Sequence, residues 1–449
     1  MSGAAALSSP ALTISPARAV EKLRHLMLWM TGFAGAFVFT EPSPYEIFAS
    51  ATIFVFFASG LGLRRGHLPL LALLILYCFG LTIAVIPVVA EKKTALWVAV
   101  SWFLAATTLF FACAIAEDTE RRLRILMNGY MAAAIVASMI AILSYFRLLP
   151  GADTFLLYGR AKATFNDPNV LGPFLVLPGL LAIKRALSFR WKDLLIGGGQ
   201  VSIIVIAILL TFSRGAWGHF AASAAIFVGL LFVVSNDPRE RTRIVAATLA
   251  GALVLGLLLL AIVSMQGVGN LFSERATLDQ SYDMGQLGRF GRHVLGFQLA
   301  LDQPWGLGPF QFSKIFPEDP HNVYLNAFMT GGWLGGMTYF LFVAITLWVG
   351  FTGAMRATPW RPVMLAVWAT FLAVAGEGAI IDSDHWRHFW LIAGLLWGGA
   401  IAANRHHGDL VRKHRAKLVA KAASTSLQRT GEITIVRPLS ERGAARLAH

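Results

Sequence analysis

Charge and cysteine are what this chain has least of. Only 14% of its 449 residues are charged, and 24 acidic residues stand against 38 lysines and arginines. Its two cysteines, Cys78 and Cys113, both fall inside apolar runs, so neither a disulfide framework nor a cysteine metal site is in prospect. So little charge beside 56% hydrophobic residues and a mean hydropathy of +0.63 excludes a soluble domain, which has no use for so much apolar surface. Metal-ligand spacing is missing as well. His385, His388, Asp382 and Asp384 cluster before the last apolar run, but they read as a wet polar turn rather than a cation site.

Apolar stretches of roughly 17–25 residues fit a hydrocarbon core about 30 Å thick. They lie near 25–40, 46–63, 68–90, 94–116, 123–146, 169–187, 194–212, 216–234, 244–265, 323–352, 362–381 and 388–404. The expected fold is therefore an all-α polytopic membrane protein of about twelve transmembrane helices. Residues 1–24 form an N-terminal segment, and 25–404 the transmembrane domain, with one large loop over 266–322 between the ninth and tenth spans. The tail, 405–449, is basic: 405–423 suits a surface helix and the remainder suits disorder. After the first apolar run no good small-residue cleavage site follows, so that run reads as a retained helix.

Lysine and arginine set the orientation. Arg64-Arg65, Arg121-Arg122-Arg124, Lys184-Arg185, Arg239-Arg241-Arg243 and the tail from Arg405 share one side, so both termini are expected in the cytoplasm. The net charge of +14 is mostly this topology signal plus a tail facing anionic lipid headgroups, and it does not argue for nucleic acid. Cations on the other side run against the insertion bias. Lys92 and Lys93 can snorkel, but Arg147, Arg160, Lys162, Arg214, Arg275, Arg289, Arg292, Lys314 and Arg387 also sit there. Binding an anion is the simplest job for them.

Helix starts on that side agree. Asn166-Asp167-Pro168-Asn169 and Asp319-Pro320-His321-Asn322 both read as an Asp cap with Pro first in the helix, and Ser213-Arg214-Gly215 as a Ser cap. Three partly positive N-termini beside arginines suit phosphate or diphosphate. Plainer readings stand beside each. Arg214 could snorkel, the Asn-Asp-Pro-Asn run could only cap, and His321 could be a capping histidine. Arg289 and Arg292 could form the wet face of an amphipathic loop helix over 285–302, resting Leu287, Phe290, Val294, Leu295 and Leu299 on the bilayer. The joint occurrence on one face favours the functional reading.

Three stretches carry a family resemblance: Ala163-Thr164-Phe165-Asn166-Asp167-Pro168-Asn169-Val170-Leu171-Gly172, Thr211-Phe212-Ser213-Arg214-Gly215-Ala216-Trp217, and the late loop. The loop runs from Gly288-Arg289 through Pro304-Trp305-Gly306-Leu307-Gly308 and Pro320-His321-Asn322 to Gly331-Gly332-Trp333-Leu334-Gly335. Over about residues 160–340 the chain resembles the O-antigen ligase (Wzy-C) superfamily of lipid-linked glycan ligases and polymerases. The resemblance implies a GT-C-like fold and inverting, metal-independent glycosyl transfer without a cofactor, at the periplasmic face of the bacterial inner membrane. It implies an undecaprenyl-diphosphate glycan donor and a glycan or glycolipid acceptor such as lipid A–core. His321 would be the essential histidine, with Arg214 and Arg289 on the diphosphate, joined by Arg160, Lys162 and Arg292. Two positions depart from the pattern. Thr330 stands where many members carry an acidic residue, leaving open which carboxylate assists, and His293 replaces a usual tryptophan.

A sugar hydroxyl attacking an anomeric carbon must lose a proton, and neutral imidazole is the natural base near pH 7. Placed second in a helix, His321 is expected to feel the positive dipole end and stay neutral. Asn322 and Tyr324 flank it, with Tyr324 positioning the sugar or anchoring at the interface, while Asn166, Asp167, Asn169 and Ser213 support the helix starts. Glu377, in the outer third of the eleventh span, is expensive in lipid, so it pairs with an arginine such as Arg214 or meets the acceptor. A polymerase of the same superfamily is the alternative reading. A twelve-helix transporter ranks lower, because no repeated halves and no midplane polar sites are evident.

Overall fold

The computed structural model describes residues 16–40, 42–188, 190–276, 285 and 288–433. Leu287, the N-terminal residues before 16 and the tail after 433 lie outside them. The described chain is almost entirely helical: α1 (Pro16–Ala34), α2 (Pro44–Ala58), α3 (Leu68–Val85), α4 (Lys92–Glu117), α5 (Thr119–Tyr145), α6 (Pro168–Ala186), α7 (Trp191–Leu210) and α8 (Arg214–Val234). Next come α9 (Pro238–Val263), α10 (Gln266–Ala276), α11 (Arg289–Asp302), α12 (Phe312–Ile315), α13 (Val323–Met355), α14 (Arg361–Glu377) and α15 (Arg387–Ile433). A two-residue hairpin, β1 (Leu156–Leu157) with β2 (Arg160–Ala161), is the described sheet and places Arg160 on a short turn.

Eight of the described helical stretches are long and apolar enough to cross a membrane: Arg65–Val88, Lys92–Glu117, Thr119–Tyr145, Pro168–Ala186, Trp191–Leu210, Arg214–Val234, Pro238–Val263 and Val323–Met355. The chain is an all-α polytopic membrane protein. α9 makes the point most directly. Leu249, Leu253, Val254, Leu257 and Leu260 all lie exposed along it, a surface only hydrocarbon solvates well. Apolar helices α2, of 15 residues, and α14, of 17, fall short of that length.

Two compact units divide the chain, 1–402 and 403–449. In the first, α3 packs on α13, α6 on α7, α1 on α5 and α8 on α14. Small residues let backbones close up where oily side chains gain nothing from leaving lipid. A Cβ on Gly80 of α3 would stand 2.5 Å from the amide nitrogen of Gly335 in α13. Cys78 and Cys113 are buried free thiols. In the second unit the helix continues to Ile433, past the 423 expected, and exposed Arg412 pairs with Asp409.

α13 is one helix in name only. At Gly332 the backbone swings to φ 62°, ψ −165°, dividing it into two helices. Its freed groups meet the loop ahead of it: Trp333 N–H donates to Pro304 O at 2.9 Å, and Leu307 N–H to Met329 O at 2.7 Å. This is the physical content of the paired Pro-Trp-Gly-Leu-Gly and Gly-Gly-Trp-Leu-Gly runs: one fills the break in the other. Broken backbone survives at membrane depth only when protein satisfies it.

Candidate active site

Three helix starts and one helix end build the site. Asp167 caps α6, its Oδ1 accepting from Asn169 N–H at 2.6 Å, and Ser213 caps α8, accepting from Ala216 N–H at 3.4 Å. The third start differs from expectation. Asn322, not Asp319, caps α13, its Oδ1 accepting from the Tyr324 and Leu325 amides at 3.1 Å each. Asn322 itself is extended, at φ −150° and ψ 105°, as a capping residue is, so the helix begins at Val323 and not at Pro320. His321 therefore stands just outside the helix, with φ 49°, a left-handed conformation rare for a residue bearing a Cβ. Phe212, directly before the Ser213 cap, has φ 48°. Strain of this kind persists only where surroundings hold it. Around His321 they do: His293 Nε2–H donates to Pro320 O at 2.7 Å, and Val323 N–H donates to Gly378 O at 2.8 Å. His293 thus buttresses the strained residue.

These starts open into a cavity of about 1040 Å³. Arg160, Arg214 and Arg289 line it together with His321. Asp167, Asn169, Ser213 and Glu377 line it too. Arg160 is aimed from behind, its Nη2 donating to Asn169 Oδ1 and its Nε to Thr211 O, both at 2.8 Å. The remaining candidates lie elsewhere. Lys162 and exposed Asn166 are off the wall; buried Arg292 pairs with Glu318 at 2.8 Å. Tyr324 donates its hydroxyl to Ala375 O at 2.6 Å, an anchor of α13 on α14, while Asn322 is spent on its cap. Thr330 is buried and bonds its own helix at Asn326 O.

The carboxylate that the Thr330 departure left open comes from another element. Asp382, in the turn after α14, meets His321 Nδ1 with its Oδ2 at 3.1 Å. The polar turn at the start of α15 is not the wet surface expected of it: Asp384 and His388 are buried, and the His385 ring lies tilted against Trp97, centroids 4.2 Å apart. Asp382 reverses the expected electrostatics as well. Its hydrogen bond lifts the His321 imidazole above the ordinary histidine range, outweighing desolvation and the Arg289 charge, which pull it down. Burial in turn pushes the Asp382 carboxyl up. With Nδ1–H given to Asp382, Nε2 is the basic nitrogen, 4.0 Å from Glu318 Oε2. His293, by contrast, is pushed down by burial and stays a neutral donor.

Glu377 is engaged structurally, with a histidine. His219 Nδ1 lies 2.8 Å from Glu377 Oε2, both side chains buried, and His219 Nε2–H reaches Thr370 O at 3.1 Å. Sequence reasoning missed Asp382, His219 and, as a wall residue, Arg275. The signal for Arg275 was present, since it was among the misplaced cations. For His219 the clue was its position one turn after Gly215, whereas no local pattern ties Asp382 to His321.

Residues 200–340 match the family model described as O-antigen ligase (Wzy_C), a stretch that includes Arg214, Arg289 and His321. The match supports an assignment to that superfamily. No curated protein matches the chain.

Proposed function

We propose that this chain, assigned by its family match to the O-antigen ligase superfamily, transfers a glycan from undecaprenyl diphosphate to a glycolipid acceptor of the lipid A–core kind. The supporting observation is the shared cavity, where arginines from four different elements face a histidine–aspartate pair. The acceptor oxygen attacks the anomeric carbon from the side opposite the leaving group, so the configuration inverts. The carbon–oxygen bond to the diphosphate breaks as the new one forms, and the hydroxyl proton passes to His321 Nε2. Arg214, Arg289 and Arg160, with the N-termini of α6 and α8, hold the negative charge that grows on the departing diphosphate. Nothing in these steps calls for a metal.

The proposed topology puts this chemistry on the periplasmic face of the inner membrane. α1, α2, α14 and the first part of α15 join the eight long spans to make twelve in a GT-C-like arrangement, with both termini cytoplasmic. A lipid-linked donor fits that side, where nucleotide sugars are absent.

Purified protein given a defined undecaprenyl-diphosphate glycan should load a lipid A–core acceptor in the presence of chelator. Absence of transfer, or strict dependence on Mg²⁺, would sink the proposal. His321→Ala should abolish transfer while the protein still inserts. In a deletion strain, bare lipid A–core with accumulated lipid-linked glycan marks a ligase, whereas core bearing single repeats marks a polymerase.

A further inference from the structure

The cavity holds a second imidazole–carboxylate pair, deeper than His321–Asp382 and with no part in the chemistry above. Its setting is unusual. Gly215, His219 and Ser223 follow one another at i, i+4 and i+8 on α8, hence on one face, and each meets α14. A Cβ on Gly215 would stand 2.5 Å from Glu377 Oε1; His219 bonds Glu377 and the Thr370 carbonyl; Ser223 Oγ donates to Ala369 O at 3.3 Å. Among the described residues Glu377 Oε1 has no hydrogen-bond partner, and it is shut away from water against the Gly215 backbone.

α14 in turn carries the catalytic end of α13. Gly378 O accepts from Val323 N–H, Ala375 O accepts from the Tyr324 hydroxyl, and Asp382 follows a few residues later. Arg214 directly precedes Gly215. The chain of contacts therefore runs from Arg214 through Gly215 and His219 to Glu377, and from Glu377 to Val323, Asp382 and His321.

We propose that Glu377 and His219 are a positioning pair for the transfer reaction, setting the separation between Arg214 on the diphosphate and His321 on the acceptor. The glycine after Arg214 is required because the Glu377 carboxylate occupies the space of its side chain. His219 Nε2–H is committed to a backbone carbonyl, which turns Nδ1 towards Glu377 Oε2 at 2.8 Å. A Gln amide can donate to Nδ1 in the same place. The inference rests on the functional reading above and makes the pair responsible for geometry rather than proton transfer.

The test is a double-mutant cycle on the full-length protein, reading donor KM and kcat separately. Gly215→Ala and Glu377→Ala should each lose up to about 100-fold in kcat/KM, the scale of an ångström-level misplacement. Glu377→Gln should stay within a few-fold of wild type. Gly215→Ala placed in the Glu377→Ala background should lose nothing further, because the clash is gone. Additive losses, a silent Gly215→Ala, or a Glu377→Gln as poor as Glu377→Ala would overturn the proposal. If wild type transfers nothing from a polyprenyl-diphosphate donor, the functional reading fails by itself. The pair is then judged by undecaprenyl diphosphate binding and by melting temperature in the same cycle: non-additivity in both supports it, and additivity in either rejects it.

Discussion

His321 combines a left-handed backbone with an imidazole tied to Asp382, and the second fact sets its pH behaviour. The base must be neutral to accept a proton. Its pKa is raised above the ordinary histidine value, so the neutral form is lost as pH falls through that raised value. Transfer should therefore decline on the acid side at a pH above about 6.5, the unperturbed histidine value. Asp382→Ala removes the hydrogen bond and the charge, so the acid limb should move to lower pH. The plateau rate should fall by roughly 10²–10⁴, the usual range for a general base losing its setting. A pH–rate profile checks both, and an unmoved limb would separate Asp382 from the base. Arg214→Lys should lose at least about tenfold in kcat/KM, since an ammonium cannot reproduce a guanidinium fork. At this scale the sequence was legible where function rests on local chemistry. Asp167 and Ser213 cap the helices their spacing marks out. His321–Asp382 was not legible, because 61 positions separate the partners and no periodicity joins them.

Among elements, α13 has the most unusual build. Its apolar run is continuous, so composition alone reads as one long span; only the backbone at Gly332 reveals two. A Cβ there would stand 2.5 Å from Pro304 O, and φ 62° is unfavourable to any side chain. Gly332→Ala should cost about 1–3 kcal/mol, read as a lower melting temperature in detergent. It should also loosen the loop that carries Arg289 and His293, lowering transfer. A variant as stable and active as wild type would mean the break has no role. The paired glycine motifs were visible beforehand as marks of resemblance, but not their fit to each other. Glu377 illustrates the same limit: burial in the eleventh span foretold a partner, and helix packing decided that it is His219 on α8.

Across the molecule, arginines crowd the cavity at one end of the spans while the loops and tail carry the other cations. Polytopic architecture was plain from hydropathy. The exact number of crossings was less plain, because α2 and α14 are shorter than a full crossing usually needs. With twelve spans, reporters fused after Ser235 and after Arg356 should both be cytoplasmic, and one placed after Asp302 should be periplasmic. A periplasmic signal at either of the first two would break the proposed topology. Salt should weaken donor capture more than the chemical step, since screening acts on the approach of a charged headgroup to the cavity mouth.

The size of the cavity bears on what the catalyst can sense. Pockets of about 300–1,000 Å³ enclose a single small-molecule ligand, and this one measures about 1040 Å³. On the proposed function, that volume admits a diphosphate and the first sugars beside it, and the rest of the glycan must trail into solvent. The protein would thus inspect only the reducing end of its donor and be blind to how many repeats follow. A mixed ladder of chains should be delivered with its length distribution unaltered, leaving length control to whatever acts before it.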